Sequence, residues 1–447
     1  MTARPNVLYL HSHDTGRYVQ PYGYGVPTPN IQLLADQGVL FRKAFCAAPT
    51  CSASRSALLT GQYPHQNGMN GLAHRGWSLD DPTKHLVHPL REAGYRSVLI
   101  GEQHVSEDPG ILGYDEVLDV DSTRAEDVAP LAIQALAAAA EDDRPFFMSV
   151  GFFETHRQFT VPTSVRDTLY SHPPPNIPDT PQTREDMASF KASARELDQG
   201  VGAVLNGLAR AGLAETTLVI CTTDHGLPFP GAKATLFDRG TGVLLIVRGP
   251  GFSGGRVVDP MVSQLDIYPT ICELAGAAPR HKLEGTSLLP LVTGEVPELR
   301  PELYAEMTYH AAYQPLRSVR TGRWKYIRRF GEYDKPVLAN TDDSASKQVL
   351  IDAGWGTRPV ARERLYDLVS DPSESNNLVS NETCATQLGT LRDKLERWMR
   401  ETHDPLLAGP IEPPPGALFN LPEQASAELP PSVAGARAFD TPASGSR

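Results

Sequence analysis

With 447 residues, 40% of them hydrophobic and 21% charged, the chain can build one large domain with a smaller companion and has the composition of an ordinary globular protein. A formal net charge of −12 argues against a general nucleic-acid or anionic-membrane surface, so an anionic substrate would need a local cluster of positive charge. Five scattered cysteines (Cys46, Cys51, Cys221, Cys272 and Cys384) show neither a disulfide framework nor paired zinc spacing.

Asn6 to Leu10 reads as a buried strand, and His11, Ser12, His13 and Asp14 follow it. The four apolar residues before His11 are too few for a signal-peptide core, and no later run approaches a membrane span. The expectation is a cytoplasmic, reduced protein. A helix is expected over Asn30–Gly38 and a short strand over Val39–Ala44. Next comes Pro49 to Gly61, P-T-C-S-A-S-R-S-A-L-L-T-G. Here a cysteine sits in a Thr/Ser-rich turn, Arg55 follows four residues later, and a short apolar run then starts a helix that Ser52 or Ser54 could cap. A nucleophile-type residue at a positive helix end, beside a guanidinium, forms an anion site. The bland alternative is a buried cysteine with a solvated arginine.

Further along, Leu86–Ala93 reads as a helix, Ser97–Ile100 as a strand and Val128–Ala140 as a helix. Pro145–Gly151 is a strand, about Thr183 to Ala211 a long helix, and Thr217–Thr222 a strand. Gly242–Val247 and Leu265–Ala275 add a strand and a helix. The β–α alternation predicts an α/β sheet. Four of its strands end near His or Asp: His13 and Asp14, His104, His156, and Asp224 with His225. Open α/β sheets bind ligands outside the carboxyl ends of their strands. Asp14, Asp224 and His225 can converge on a divalent metal there.

From about 301 the texture changes. Strands are expected at Leu303–Met307, at Ser318–Arg328 as a hairpin with a Thr-Gly turn, and at Leu365–Leu368, followed by a helix over Thr383–Thr402. The domains expected are 1–312, 313–405 and a Pro/Ala-rich tail, 406–447, disordered or loosely wrapped.

The run Cys51, Ala53, Ser54, Arg55, Thr60, Gly61 resembles the signature of the sulfatase family, with alanine at 53 where most members carry proline. Segments such as P-H-Q-N-G-M at 64–69, L-D-Q-G-V-G at 197–202 and E-T-H-D-P at 401–405 are similar to the heparan N-sulfatase (sulfamidase) branch. The resemblance implies an alkaline-phosphatase-like α/β/α sandwich with a smaller C-terminal α+β domain. It implies hydrolysis of a sulfate ester or sulfamate by formylglycine, made from Cys51 by a maturation enzyme. It also implies one metal at His13, Asp14, Cys51, Asp224 and His225. Calcium is the family's ion, and the nitrogen ligands leave Mn²⁺ open. Arg55 and Lys233 would hold sulfate, His156 would protonate the leaving atom, and His104 would take a proton from residue 51. The expected partner is a small sulfated anion, with an amino sugar and a homo-oligomer both left open. Glu102 departs from the pattern, since the family carries a sulfate-binding lysine there; it either pairs elsewhere, with Arg96, or reads a cationic part of the substrate. The rivals are a phosphonate or phosphate-ester hydrolase on the same fold and a sulfated-glycan binder without turnover.

Overall fold

The computed structural model describes residues 4–435. An eight-stranded sheet forms its centre, in the spatial order Arg256–Val258, Val39–Phe41, Leu245–Arg248, Thr217–Thr223, Asn6–Ser12, Phe146–Gly151, Arg96–Gly101 and Glu116–Leu118. Leu245–Arg248 runs antiparallel to both its neighbours, and the strand pairs on either side of it are parallel.

The central strands are apolar on both faces because helices cover both. Side chains alternate across a strand. In Asn6–Ser12, Val7 and Tyr9 therefore pack with Leu58, Leu90, Ile267 and Ile271 on one side, while Leu8 and Leu10 pack with Ala132, Leu136, Val201 and Val204 on the other. The second group belongs to the helices Ala125–Ala139 and Pro181–Arg210. The result is an α/β/α sandwich. The strands at 6–12, 96–101, 146–151 and 217–223 are parallel, so the four expected His/Asp-bearing ends lie on one edge.

Two single strands expected from sequence are divided. Val39–Ala44 becomes Val39–Phe41 and Ala44–Phe45, and Gly242–Val247 becomes Gly242–Val243 and Leu245–Arg248. In each case the two pieces join different sheets. The serine caps expected at the Cys51 helix do not form. Thr50 occupies the cap position without a side-chain bond, the Ser52 hydroxyl accepts from the Ala73 N–H at 3.0 Å, and the Ser54 hydroxyl donates to the Asp224 carbonyl.

A four-stranded antiparallel sheet follows, Glu302–Tyr309, Tyr313–Thr321, Trp324–Arg329 and Glu363–Asp367. Its first strand lies ahead of the boundary expected at 313. The helix Ala385–Glu401 covers one face through Leu388, Leu391, Leu395 and Met399. The other face packs through Met307, Leu316 and Ile327 on Ala234 and Leu236, next to Lys233. Within the expected tail, residues 406–435 are built into the molecule: Ala417 and Asn420 are fully buried, and Leu418–Phe419 pairs with Ser432–Val433. The disorder expected at 436–447 lies outside the described residues.

Candidate active site

Cys51 is the first residue of the helix Cys51–Thr60, and its side chain lies under the strand ends. Its Sγ is 3.4 Å from His225 Nε2. Burial opposes charge on the thiol, yet Lys233, His13 and His225 outweigh it and hold its pKa well below the ordinary thiol range. Arg55 follows at i+4 and so faces the same way. Its guanidinium reaches His11 Nδ1 at 2.6 Å, the Ser12 carbonyl at 3.0 Å and Asp224 Oδ2 at 3.1 Å. Arg55 therefore ties two strand ends together, and its buried Nε has no partner.

Asp14 sits just past the first strand at φ 57°, a left-handed conformation that Asp tolerates better than most residues. Its Oδ1 is 3.1 Å from both His13 Nδ1 and His225 Nε2, and its Oδ2 accepts from Lys233 Nζ at 2.8 Å. Asp224 Oδ1 accepts from the Asp14 and His225 backbone N–H groups, each at 2.8 Å, while Oδ2 lies 3.1 Å from His13 Nδ1. Candidate ligand atoms of His13, Asp14, Cys51 and Asp224 all lie within 4.8 Å of one another.

The cluster attracts positive charge. Burial alone would strip the proton from His225, but Asp224 and Asp14 overcome it and lift the pKa to about 9. His13 and Lys233 are likewise raised against burial, by Asp224 and Asp14 respectively. Four carboxylates (Asp14, Glu102, Asp224 and Asp342) adjoin two permanent cations, Arg55 and Lys233. A divalent cation fits such a donor set, with hard carboxylate oxygens from Asp14 and Asp224 and an imidazole from His225.

His156 Nε2 is 3.4 Å from Lys233 Nζ, and its ring meets His13 edge-on at 4.6 Å. Burial and then Lys233 lower its pKa. His104, also at positive φ, places its ring 5.6 Å from that of His13. All the sequence-predicted residues thus gather at one place.

Three neighbours escaped the sequence reading: His11 under Arg55, His74 at 2.7 Å from His104, and Asp342, whose Oδ2 is 3.1 Å from Lys233 Nζ. His11 was visible as part of the strand end. His74 and Asp342 lie outside any strand and carry no periodic signal.

Glu102 does not pair with Arg96, which is held by Glu116 and Asp142. It accepts from the Thr123 hydroxyl at 3.3 Å. Burial disfavours its charge, but His13, His104 and Arg55 prevail and keep its pKa low. It is a carboxylate inside the site.

Comparison with known proteins agrees with this geometry. A family model described as Sulfatase matches residues 5–277, and one described as N-sulphoglucosamine sulphohydrolase, C-terminal, matches residues 231–350. The chain is 32% identical to N-sulphoglucosamine sulphohydrolase of Homo sapiens, over 91% of this chain and 92% of that protein. Among solved structures, a protein in complex with its substrate D-glucosamine-2-N,6-O-disulfate superposes with a TM-score of 0.70 at 17% identity, covering 90% of this chain and 99% of that one. The phosphonate monoester hydrolase of Agrobacterium radiobacter superposes with a TM-score of 0.65 at 22% identity, over 91% and 97%. These two likenesses establish the shared alkaline-phosphatase-like fold.

Proposed function

The chain belongs to the sulfatase family, the sulfuric ester hydrolases, and from that membership we propose that it releases inorganic sulfate from a sulfate ester or sulfamate of an amino sugar, using formylglycine made from Cys51. The observation that carries this reading is the convergence of Cys51, Asp14, Asp224, His225 and Lys233 at one buried point. The relative named for N-sulphoglucosamine supports the sulfamate and the amino sugar.

Asp14, Asp224 and His225 would hold a divalent cation, calcium or manganese, with His13 and residue 51 beside them. When bound, that ion polarises the sulfate oxygens and offsets the surplus of carboxylates. The hydrated aldehyde at residue 51 supplies the oxygen nucleophile. Lys233, fixed between Asp14 and Asp342, meets negative charge as it spreads over the sulfate oxygens. Arg55 fixes the strand ends that bear His11, Ser12 and Asp224, which keeps the donor set rigid. His156, 27% exposed at the mouth, is placed to protonate the leaving oxygen or nitrogen. His104, braced by His74, accepts a proton from residue 51.

The maturation enzyme is a required partner on this reading. Five cysteines, all unbridged, fit the reducing cytoplasm expected from sequence; among the described residues no helix is long and apolar enough to cross a membrane.

Intact-mass analysis of the peptide containing Cys51, with sulfate release from N-sulfated, O-sulfated and phosphorylated substrates, tests the proposal. An unmodified cysteine with no release would leave the glycan-binding alternative. Turnover confined to phosphonate or phosphate esters would favour the other hydrolase.

A further inference from the structure

A second set of donor atoms converges on Cys51. One ring nitrogen each from His13 and His104, together with Cys51 Sγ, all lie within 4.8 Å of one another. This set shares His13 and Cys51 with the carboxylate cluster but leaves out Asp14 and Asp224, and so offers two imidazoles and a thiol. Cys51 and His13 are buried, while the half-buried His104 and the exposed His74 behind it put the set within reach of solvent.

Both histidines are held from behind. His13 Nδ1 lies 3.1 Å from Asp14 Oδ1 and 3.1 Å from Asp224 Oδ2, so the carboxylates hold a proton on that nitrogen and the neutral ring keeps its lone pair on Nε2. His104 Nε2 faces His74 Nδ1 at 2.7 Å, and His104 Nδ1 is buried without a hydrogen-bond partner. With the Nε2 proton donated to His74, the lone pair of His104 sits on that orphan nitrogen. An acceptor on the far nitrogen is what fixes the tautomer and orientation of a metal-binding histidine. A buried ring nitrogen without a partner is unfavourable, and a cation relieves it.

The surrounding charge favours a cation as well. Glu102 stands where the family carries a lysine, and its carboxylate adjoins His13 and His104. A lysine there would repel an ion at those rings, whereas a carboxylate attracts one. We propose that the chain whose Cys51 has not been converted binds one zinc ion, or a similarly thiophilic divalent cation, through Cys51 Sγ, His13 and His104. Two nitrogens, a sulfur and one open position for water suit zinc, whereas the oxygens of Asp14 and Asp224 suit the harder ion of the matured enzyme. Conversion of Cys51 to the aldehyde removes the sulfur, so the ion caps the thiol only until conversion. The assignment rests on the thiol, not on turnover.

Metal binding to the full chain made without a maturation enzyme, its Cys51 verified by intact mass, tests it. Zn²⁺ is titrated with Ca²⁺ in excess to compete for the oxygen ligands, and Co²⁺ serves as a spectroscopic probe. One Zn²⁺ per chain should bind, and Co²⁺ should give a thiolate-to-metal charge-transfer band. Cys51→Ala and His104→Ala should each weaken Zn²⁺ by at least about 100-fold and His74→Phe by at least about tenfold, since outer partners of a ligand are alone worth about 10- to 100-fold. Glu102→Lys should weaken it too, and Cys384→Ala, in the small domain, should change nothing. Melting temperatures confirm that each variant is folded. Equal Zn²⁺ affinity in the wild type and Cys51→Ala, or a Co²⁺ spectrum without the thiolate band, overturns the site. Zn²⁺ lost in Cys51→Ala but kept in His104→Ala overturns the ligand set. Failure of the matured protein to release sulfate from any substrate would sink the hydrolase reading alone, because zinc is measured on the unconverted thiol.

Discussion

The His74 ring lies nearly parallel to that of His104, with centroids 5.0 Å apart, planes inclined by 16° and Nδ1 of the first 2.7 Å from Nε2 of the second. One proton lies between those two nitrogens. Partial desolvation, then His104 itself, press the His74 pKa down to about 4. Near neutral pH His74 is therefore uncharged and fixes the orientation of His104 without adding charge. His74→Phe keeps the stacking and removes the hydrogen bond. It should lower kcat by about tenfold or more, as general acid–base losses do, with KM and metal content unchanged and the acidic limb of the pH profile displaced. A kcat and pH profile like those of the wild type would reduce the pair to packing.

Cys51→Ala should abolish sulfate release while circular dichroism and metal content stay close to wild type. The side chain is small and its hydrogen bond is to His225 rather than to the helix, so its loss leaves the helix start intact. Residual turnover near the wild-type rate would remove residue 51 from the chemistry.

Asp224→Ala should lower bound metal and activity together, as read by elemental analysis per chain. It should also destabilise the fold by about 3–5 kcal/mol, because Arg55 is left as a buried charge without its carboxylate. Unchanged metal stoichiometry would rule Asp224 out as a ligand.

Glu102 places a carboxylate among His13, His104 and Arg55. If it reads a cationic group on the substrate, Glu102→Lys should slow turnover of amine-bearing substrates and speed that of plain aryl sulfates. Equal responses from both substrate types would show that Glu102 does not sense substrate charge.

His85 gives a stability prediction away from the site. It is fully buried, its Nδ1 accepts from the Val87 N–H at 3.3 Å, and its Nε2 has no partner. Burial, and then His88, push its pKa from 6.5 down to about 3. Between those values the unfolded chain binds a proton that the folded chain excludes. The contribution to stability is therefore complete above about pH 6.5 and falls by about 1.4 kcal/mol per unit as the pH drops toward 3. Denaturant midpoints at several pH values should show that slope, and His85→Phe should flatten it. An identical slope in the variant would assign acid sensitivity to other groups.

The strand ends were legible in the sequence because parallel strands covered on both faces appear as unbroken apolar runs, so the polar residues that follow them stand out. His13, Asp14, His104, His156, Asp224 and His225 were found on that signal. Cys51 and Arg55 were picked out by the resemblance of the run from Cys51 to Gly61 to the sulfatase signature, since their spacing alone fits a buried cysteine with a solvated arginine equally well. Asp342 was not, because it lies 109 positions beyond Lys233 and only the docking of the small sheet brings them together. The serine caps failed for a similar reason: Ser52 and Ser54 are recruited by Ala73 and Asp224, groups remote in sequence. The Pro-rich segment after 405 lacks periodicity, yet one buried asparagine anchors it.

That asparagine sets an order of events during synthesis. Asn420 accepts from Arg75 Nη1 at 2.8 Å, and Arg75 also donates to the Ala427 carbonyl at 3.4 Å. Arg75 immediately follows His74. The ribosome therefore delivers the anchor for the His74 turn long after it has delivered Cys51, Lys233 and the strands between them. Without Asn420, Arg75 loses that tether. The stretch around Asn420 thus completes the support of a histidine pair that lies hundreds of residues earlier in the chain.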